Sequence, residues 1–214
     1  MASIKIDIWS DIACPWCFIG KRRLEAALAQ TDHEVEIEYH SFELAPDTPT
    51  DFEGSEVDFL VKHKGMPAEQ VQQMLDQVTQ IAADEGLTYD FSALQHTNTR
   101  KAHEALHYAK VHGKQSELKE RLLRAYFIEG KHVGRIDELV KLGTEVGLSA
   151  EDFSQALASE TYANDVTQDI EKAREMGISG VPFFAFNMRF GVAGAQSPQT
   201  FIDVLNRAVE EVGD

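Results

Sequence analysis

Cys14-Pro15-Trp16-Cys17 contains the only two cysteines of the chain. They stand two residues apart, between an apolar strand pattern and a helix pattern. A thiol pair at that spacing can exchange electrons with another thiol pair. The attacking species would be a thiolate, so its supply depends on the thiol pKa. Cys14 falls at the expected helix start, with Pro15 pre-set for the first helical position. The unpaired N–H groups and the dipole of a helix start favour negative charge there. Cys14 is therefore expected to be the exposed nucleophile and Cys17, in the first turn, the resolving thiol. Trp16 carries no charge and cannot hold a Cys14 thiolate as a cationic residue would. Asp11, just upstream, opposes ionisation. Both features point to a milder oxidant than an enzyme with histidine between its cysteines.

Such chemistry needs a scaffold around the pair. Ile4, Ile6 and Ile8 alternate, with Trp9 following, which predicts a first strand. A helix should open at the cysteines and run to Leu28, with Cys17, Leu24 and Leu28 on one face. Gly20 would let that helix lie close to a sheet. Val35, Ile37 and Tyr39 alternate with Glu34, Glu36, Glu38 and His40, predicting a second strand. A C-x-x-C pair in β-α-β context carries a thioredoxin-like reading.

Beyond Pro46–Pro49 the pattern becomes helical. Val71 to Ala82, Ala102 to Ala109, Leu118 to Tyr126, Asp137 to Val146, Ala150 to Ala158 and Tyr162 to Met176 all repeat at helical spacing. Phe59 to Lys64 offers no chemistry. The expectation is a helical domain over 51–176 inserted between 1–50 and 177–214, with its last helix, about 162–176, packing on the sheet. From Gly177 the strand pattern returns. Val181 to Phe186 is apolar, Asn187-Met188 reads as a tight turn, and Phe190 to Gly194 reads as a hairpin partner. Ser197 should cap a last helix with Pro198 at its first position.

Gly180-Val181-Pro182 is the second chemical element. Proline is natural at the first residue of a strand. A cis Val181–Pro182 bond would bring this loop beside the cysteines, and the Val181 backbone could pair with a substrate peptide by strand addition.

The chain has 214 residues and a formal net charge of −16, which argues against nucleic acid and anionic membrane as partners. The start lacks a secretory-signal pattern and no apolar run is long enough to span a bilayer, so a cytoplasmic address is expected. In a reducing compartment a close cysteine pair is more often catalytic than a structural staple. A zinc or iron–sulfur centre needs about four ligands, and no second cysteine pair exists. His103-Glu104-Ala105-Leu106-His107 matches the H-E-x-x-H of zinc proteases. The longer metzincin pattern fails, with Lys110 where its glycine belongs and Gly113 where its third histidine belongs. No metal site is therefore expected. Lys21-Arg22-Arg23 reads as a solvated helix face that could hold an anionic substrate.

The chain resembles the DsbA-like thioredoxin-fold family, in its cytosolic FrnE-type dithiol–disulfide isomerase branch. The resemblance is carried by Ser10 to Gly20, Phe42 to Pro46, Asn98 to His103, Ala125 to Gly130, Gly180 to Phe184 and Gly194 to Gln196. It implies an α/β thioredoxin fold, β-α-β … β-β-α, with a large inserted all-helical domain. It implies a Cys14 nucleophile, a cis Pro182, and Asn98, Thr99 and His103 facing the active-site groove. Pro15, Trp16 and Val181 would then contact substrate. Glutathione as a redox partner and a homodimer are further implications, with no tightly bound cofactor. Related isomerases and kappa-class glutathione transferases carry serine where Cys14 stands, so cysteine here favours redox chemistry over glutathione transfer. Some relatives hold a second cysteine pair that this chain lacks.

The expected function is thiol–disulfide exchange on protein or small-molecule disulfides and dithiols. One rival is a glutathione-dependent isomerase or transferase, in which glutathione conjugation survives Cys14→Ser. Another is a non-catalytic holdase, indifferent to loss of both thiols.

Overall fold

The computed structural model describes residues 4–210. Among them the order is β1 (Ile4–Ser10), α1 (Pro15–Leu28), β2 (Val35–Ser41), α2 (Glu56–Lys64), α3 (Ala68–Asp84), α4 (Arg100–Val111), α5 (Gln115–Phe127), α6 (Ile136–Glu145), α7 (Ala150–Ala158), α8 (Ala163–Glu175), β3 (Phe183–Phe186), β4 (Phe190–Ala193) and α9 (Pro198–Glu210). The chain divides into two compact units. One holds the chain up to Leu44 and from Val166 onward; the other is Ala45–Asp165.

The first unit carries one sheet in the order β2-β1-β3-β4. β1 and β2 are parallel, while β1–β3 and β3–β4 are antiparallel. This is the β-α-β … β-β-α order of the thioredoxin fold. Side chains alternate across a strand, so Ile4, Ile6 and Ile8 share one face. They pack with Leu24 and Ala27 of α1, Phe184 and Phe186 of β3, and Phe201 and Leu205 of α9. Each such large apolar side chain contributes roughly 1.5–3 kcal/mol on burial. The three-residue hairpin connection places Asn187 and Met188 at positive φ, 49° and 54°, the φ signs of a type I′ turn, and Arg189 N donates to Phe186 O at 3.0 Å. Ser197 Oγ accepts from Thr200 N at 3.3 Å, capping α9 as its sequence requires.

The second unit is helical. Within it α4 packs on α5 and α7, and α6 on α7. Leu106, Leu118, Leu122, Leu139 and Phe153 are buried there. Helix α2 is an addition to the periodicity reading. Its apolar spacing is weak, but Ser55 and Asp58 form a capping box and Gly65 closes it in the left-handed conformation. That S-x-x-D signal was present in the sequence.

Candidate active site

The end of β1 delivers the chain to Cys14 through a short turn in which Cys14 N donates to Asp11 O at 3.4 Å. Cys14 is the residue before α1, with extended φ and ψ, and Pro15 takes the first helical position. Pro15 suits that place because its missing N–H would have no helical partner anyway. Cys17 N donates to Cys14 O at 3.1 Å, closing the first turn and holding both cysteines on one side of it. Neither is joined in a disulfide.

The Val181–Pro182 peptide is cis and lies beside the pair. Cys14 Sγ donates to Val181 O at 3.5 Å. Pro182 O accepts from Gly194 N at 2.8 Å, fixing the loop to the end of β4. Gly20 lets α1 approach this loop. A Cβ on Gly20 would stand 3.0 Å from Pro182 Cγ and 3.2 Å from Phe184 Cζ. Gly20→Val should therefore overpack the contact, lowering stability by about 1–3 kcal/mol. It should also displace Pro182 from Cys14, read as a lower thermal midpoint together with faster Cys14 alkylation as the thiol loses its cover. A cleft of about 440 Å³ runs along the same loop, lined by Gly180, Val181, Pro182, Phe183 and Gly194 among others.

The expectation of an exposed Cys14 is corrected. Cys14 and Cys17 are each only 3% exposed, and the solvent-facing residue of the motif is Trp16, at 40%. Cys14 turns inward toward the Val181 carbonyl, while the intervening Pro15 and Trp16 take the outer side of the turn. The electrostatics follow from this burial. The Cys14 thiol is held well above the ordinary thiol range. Its hydrogen bond with Cys17 contributes most, burial next, then the charge an ionised Cys17 would present, with Asp11 adding to it. A helix start favours the anion; the contact with Cys17, burial and Asp11 oppose it. Asp11 is itself buried, its Oδ2 accepting from Leu44 N at 2.8 Å.

Lys21-Arg22-Arg23 is not the solvated face expected. Lys21 is buried and pairs with Glu25, Arg22 pairs with Glu25 at 2.8 Å and lies over the Phe18 ring, and Arg23 donates to Ala195 O at 2.6 Å.

A polar network below β1 and β2 escaped sequence reasoning. His40 Nε2 meets Asp7 Oδ1 at 2.8 Å and Nδ1 meets Asp169 Oδ1 at 2.8 Å. Asp169 Oδ2 accepts from Ser41 N at 2.8 Å, and its carbonyl accepts from Trp9 Nε1 at 3.1 Å. The Trp9 and His40 rings stack at 4.6 Å. Burial pushes the His40 pKa down, but its hydrogen bonds to Asp169 and Asp7 outweigh that and raise it. Burial pushes Asp7 up, yet the hydrogen bonds from His40 and Lys5 leave it below the usual carboxylate range.

Asn98, Thr99 and His103 lie in the helical unit, around the start of α4. Asn98 Nδ2 donates to Pro46 O and Oδ1 accepts from Arg100 N, each at 2.9 Å. Thr99 O accepts from His103 N at 3.0 Å, and both Thr99 and His103 are buried. Among the described residues, the one group of three or more histidine, cysteine or acidic side chains close enough to share a metal is Asp7, Glu38 and His40. The H-E-x-x-H pair, His103 and His107, is not in it.

Comparison with known proteins assigns the fold to a family. The family model described as DSBA-like thioredoxin domain matches residues 5–206. The uncharacterized protein YwbO of Bacillus subtilis (strain 168) is 32% identical over 184 residues, 85% of this chain and 86% of that protein. The crystal structure of a probable DsbA oxidoreductase, SCO1869, from Streptomyces coelicolor superposes with a TM-score of 0.90 at 37% identity, covering 97% of this chain and 91% of that one. The cytosolic disulfide reductase DsbM of Pseudomonas aeruginosa, in a structure with GSH, shares the fold, with a TM-score of 0.68 at 19% identity over 96% of this chain and 99% of that one.

Proposed function

The chain belongs to the DSBA-like thioredoxin domain family, and from that premise we propose that its Cys14–Cys17 pair exchanges disulfides as a reductase or isomerase of the cytosolic FrnE type. The observation that carries this reading is the placement of Cys14 Sγ 3.5 Å from the Val181 carbonyl, at the start of α1 and one turn from the Cys17 thiol. In reduction, the Cys14 thiolate attacks one sulfur of a substrate disulfide. A Cys14–substrate disulfide forms and the other substrate sulfur leaves as a thiolate, taking a proton from solvent. The Cys17 thiolate then attacks Cys14 Sγ, releasing the second substrate thiol and closing Cys14–Cys17. Two electrons pass from the pair to the substrate. Two molecules of glutathione, as thiol co-substrate, would restore the dithiol and leave as glutathione disulfide.

The raised Cys14 pKa supports the reducing direction. A strong oxidant of this kind stabilises its reduced form, through an easily formed thiolate. Here burial, Cys17 and Asp11 oppose that thiolate, which favours handing electrons to the substrate. An extended substrate segment would lie along Val181 by strand addition, with the exposed Trp16 and the partly exposed Pro15 touching its side chains.

The test is reduction of insulin disulfides with glutathione as electron donor. Wild type should turn over, and Cys17→Ser should accumulate a Cys14–substrate mixed disulfide, detected by mass. Turnover unchanged in Cys17→Ser, with no trapped adduct, would falsify the two-thiol route.

A further inference from the structure

We propose that Asp7, Glu38 and His40 form a divalent-metal site for Zn²⁺ on the face of the sheet opposite Ile4, Ile6 and Ile8. Asp7 and Glu38 are register partners on neighbouring parallel strands. His40 lies two residues beyond Glu38, hence on the same face. One ligand atom from each lies within 4.8 Å of the others. His40 Nε2 is 2.8 Å from Asp7 Oδ1 and 3.8 Å from Glu38 Oε1. Ligand atoms that share one zinc ion at about 2.0–2.2 Å stand roughly 3–3.6 Å apart. Small side-chain rotations meet that requirement.

Two further observations point to a ligand. Asp7 is 2% exposed, and its Oδ2 is buried with no hydrogen-bond partner. An unsatisfied buried carboxylate oxygen calls for an ion or a water. In addition, Asp169 Oδ1 sits on His40 Nδ1 at 2.8 Å. A carboxylate on the far ring nitrogen is the support that metal-bound histidines use, because it fixes the ring and its tautomer and leaves Nε2 to the metal.

Lys5 now fills the cation's place. Its Nζ lies 2.8 Å from Glu38 and 3.2 Å from Asp7. Its side chain is 43% exposed and flexible, so it can swing into solvent and open access. When the metal binds, the Nε2 proton passes to water and Lys5 withdraws. The charges of Asp7, Glu38 and Asp169 are then balanced by the metal together with a nearby Lys5. One imidazole and two carboxylates, with a fourth position for water, suit zinc. Magnesium and calcium prefer six or more oxygen ligands.

The experiment is calorimetric titration of the EDTA-treated full chain with ZnCl₂. The chain is oxidised at Cys14–Cys17 so that the thiols cannot bind, and the Cys14→Ser/Cys17→Ser variant serves as a second thiol-free form. The expected result is one equivalent of Zn²⁺ bound in both. Glu38→Gln should weaken binding at least about tenfold, the loss that removing even a residue supporting a ligand brings, and Lys5→Met should tighten it. Both replaced residues are partly exposed, so these variants should fold, which circular dichroism checks. Co²⁺ in place of Zn²⁺ should give a d–d band without thiolate charge transfer. Absence of a stoichiometric heat in both thiol-free proteins, or equal affinity in Glu38→Gln, would overturn the assignment and leave Asp7 Oδ2 to a buried water.

Discussion

Replacing Cys14 with serine is expected to abolish disulfide exchange, a loss of at least about a thousandfold, as when other enzymes lose their nucleophile. A serine hydroxyl neither ionises near neutral pH nor forms a disulfide, so no later step can compensate. The pH profile of the wild-type protein carries the second half of this prediction. The Cys14 thiol is held above its ordinary range by Cys17, burial and Asp11. Below that raised pKa the thiolate fraction falls about tenfold per pH unit. The rate of Cys14 alkylation should therefore keep climbing beyond about pH 10, where an unperturbed thiol has levelled off. Cys17→Ala removes the largest cause and the charge coupling together. It should shift the profile to lower pH and speed alkylation at pH 7 by about tenfold for each unit the pKa falls. Asp11→Asn, which keeps an oxygen for Leu44 N, should shift it in the same direction by less. A Cys14 that alkylates fast and independently of pH near neutrality would sink the electrostatic reading, while the Cys14→Ser result would still stand.

The elements that build this site were legible because each is written locally. Strand alternation in Ile4, Ile6 and Ile8, the Pro15 helix start and the Asn187-Met188 turn each use a short-range rule, and the structure obeys all three. The order of those elements around the cysteines gave the fold. Burial of Cys14 was not legible. Whether the residue before a helix points out or in depends on what packs on it, and the Val181 carbonyl is distant in sequence. The network around His40 was hidden for the same reason. Glu34-x-Glu36-x-Glu38-x-His40 has the alternation of a solvated strand face, and nothing local reveals that Asp169 of α8 bonds to its last member. One trace was present: His40 falls opposite Trp9 in the register, and an aromatic on the polar side of a strand implies cover.

Asp169→Ala tests how much that network contributes. The Asp169 carboxylate satisfies His40 Nδ1 and Ser41 N, both buried. Alanine leaves two buried donors without their acceptor and takes one of the two carboxylates from the His40 ring. Breaking a buried charged pair typically costs about 3–5 kcal/mol. The variant should lose stability in that range, against roughly 5–15 kcal/mol for a whole domain. Trp9 stacks on His40, so its fluorescence reports the loss directly during urea unfolding. The midpoint should fall with little change in slope. Asp169→Asn is the informative companion. Its single amide oxygen can accept from only one of the two sites, and its NH₂ faces a donor at the other, so it should fall between alanine and wild type. The apolar core on the far face, Ile4, Ile6 and Ile8 with Phe184 and Phe186, is untouched by either change. A drop below about 1 kcal/mol in the alanine variant, the size of one ordinary net hydrogen bond, would mean that water replaces the carboxylate. The sheet would then owe its stability to that apolar face alone.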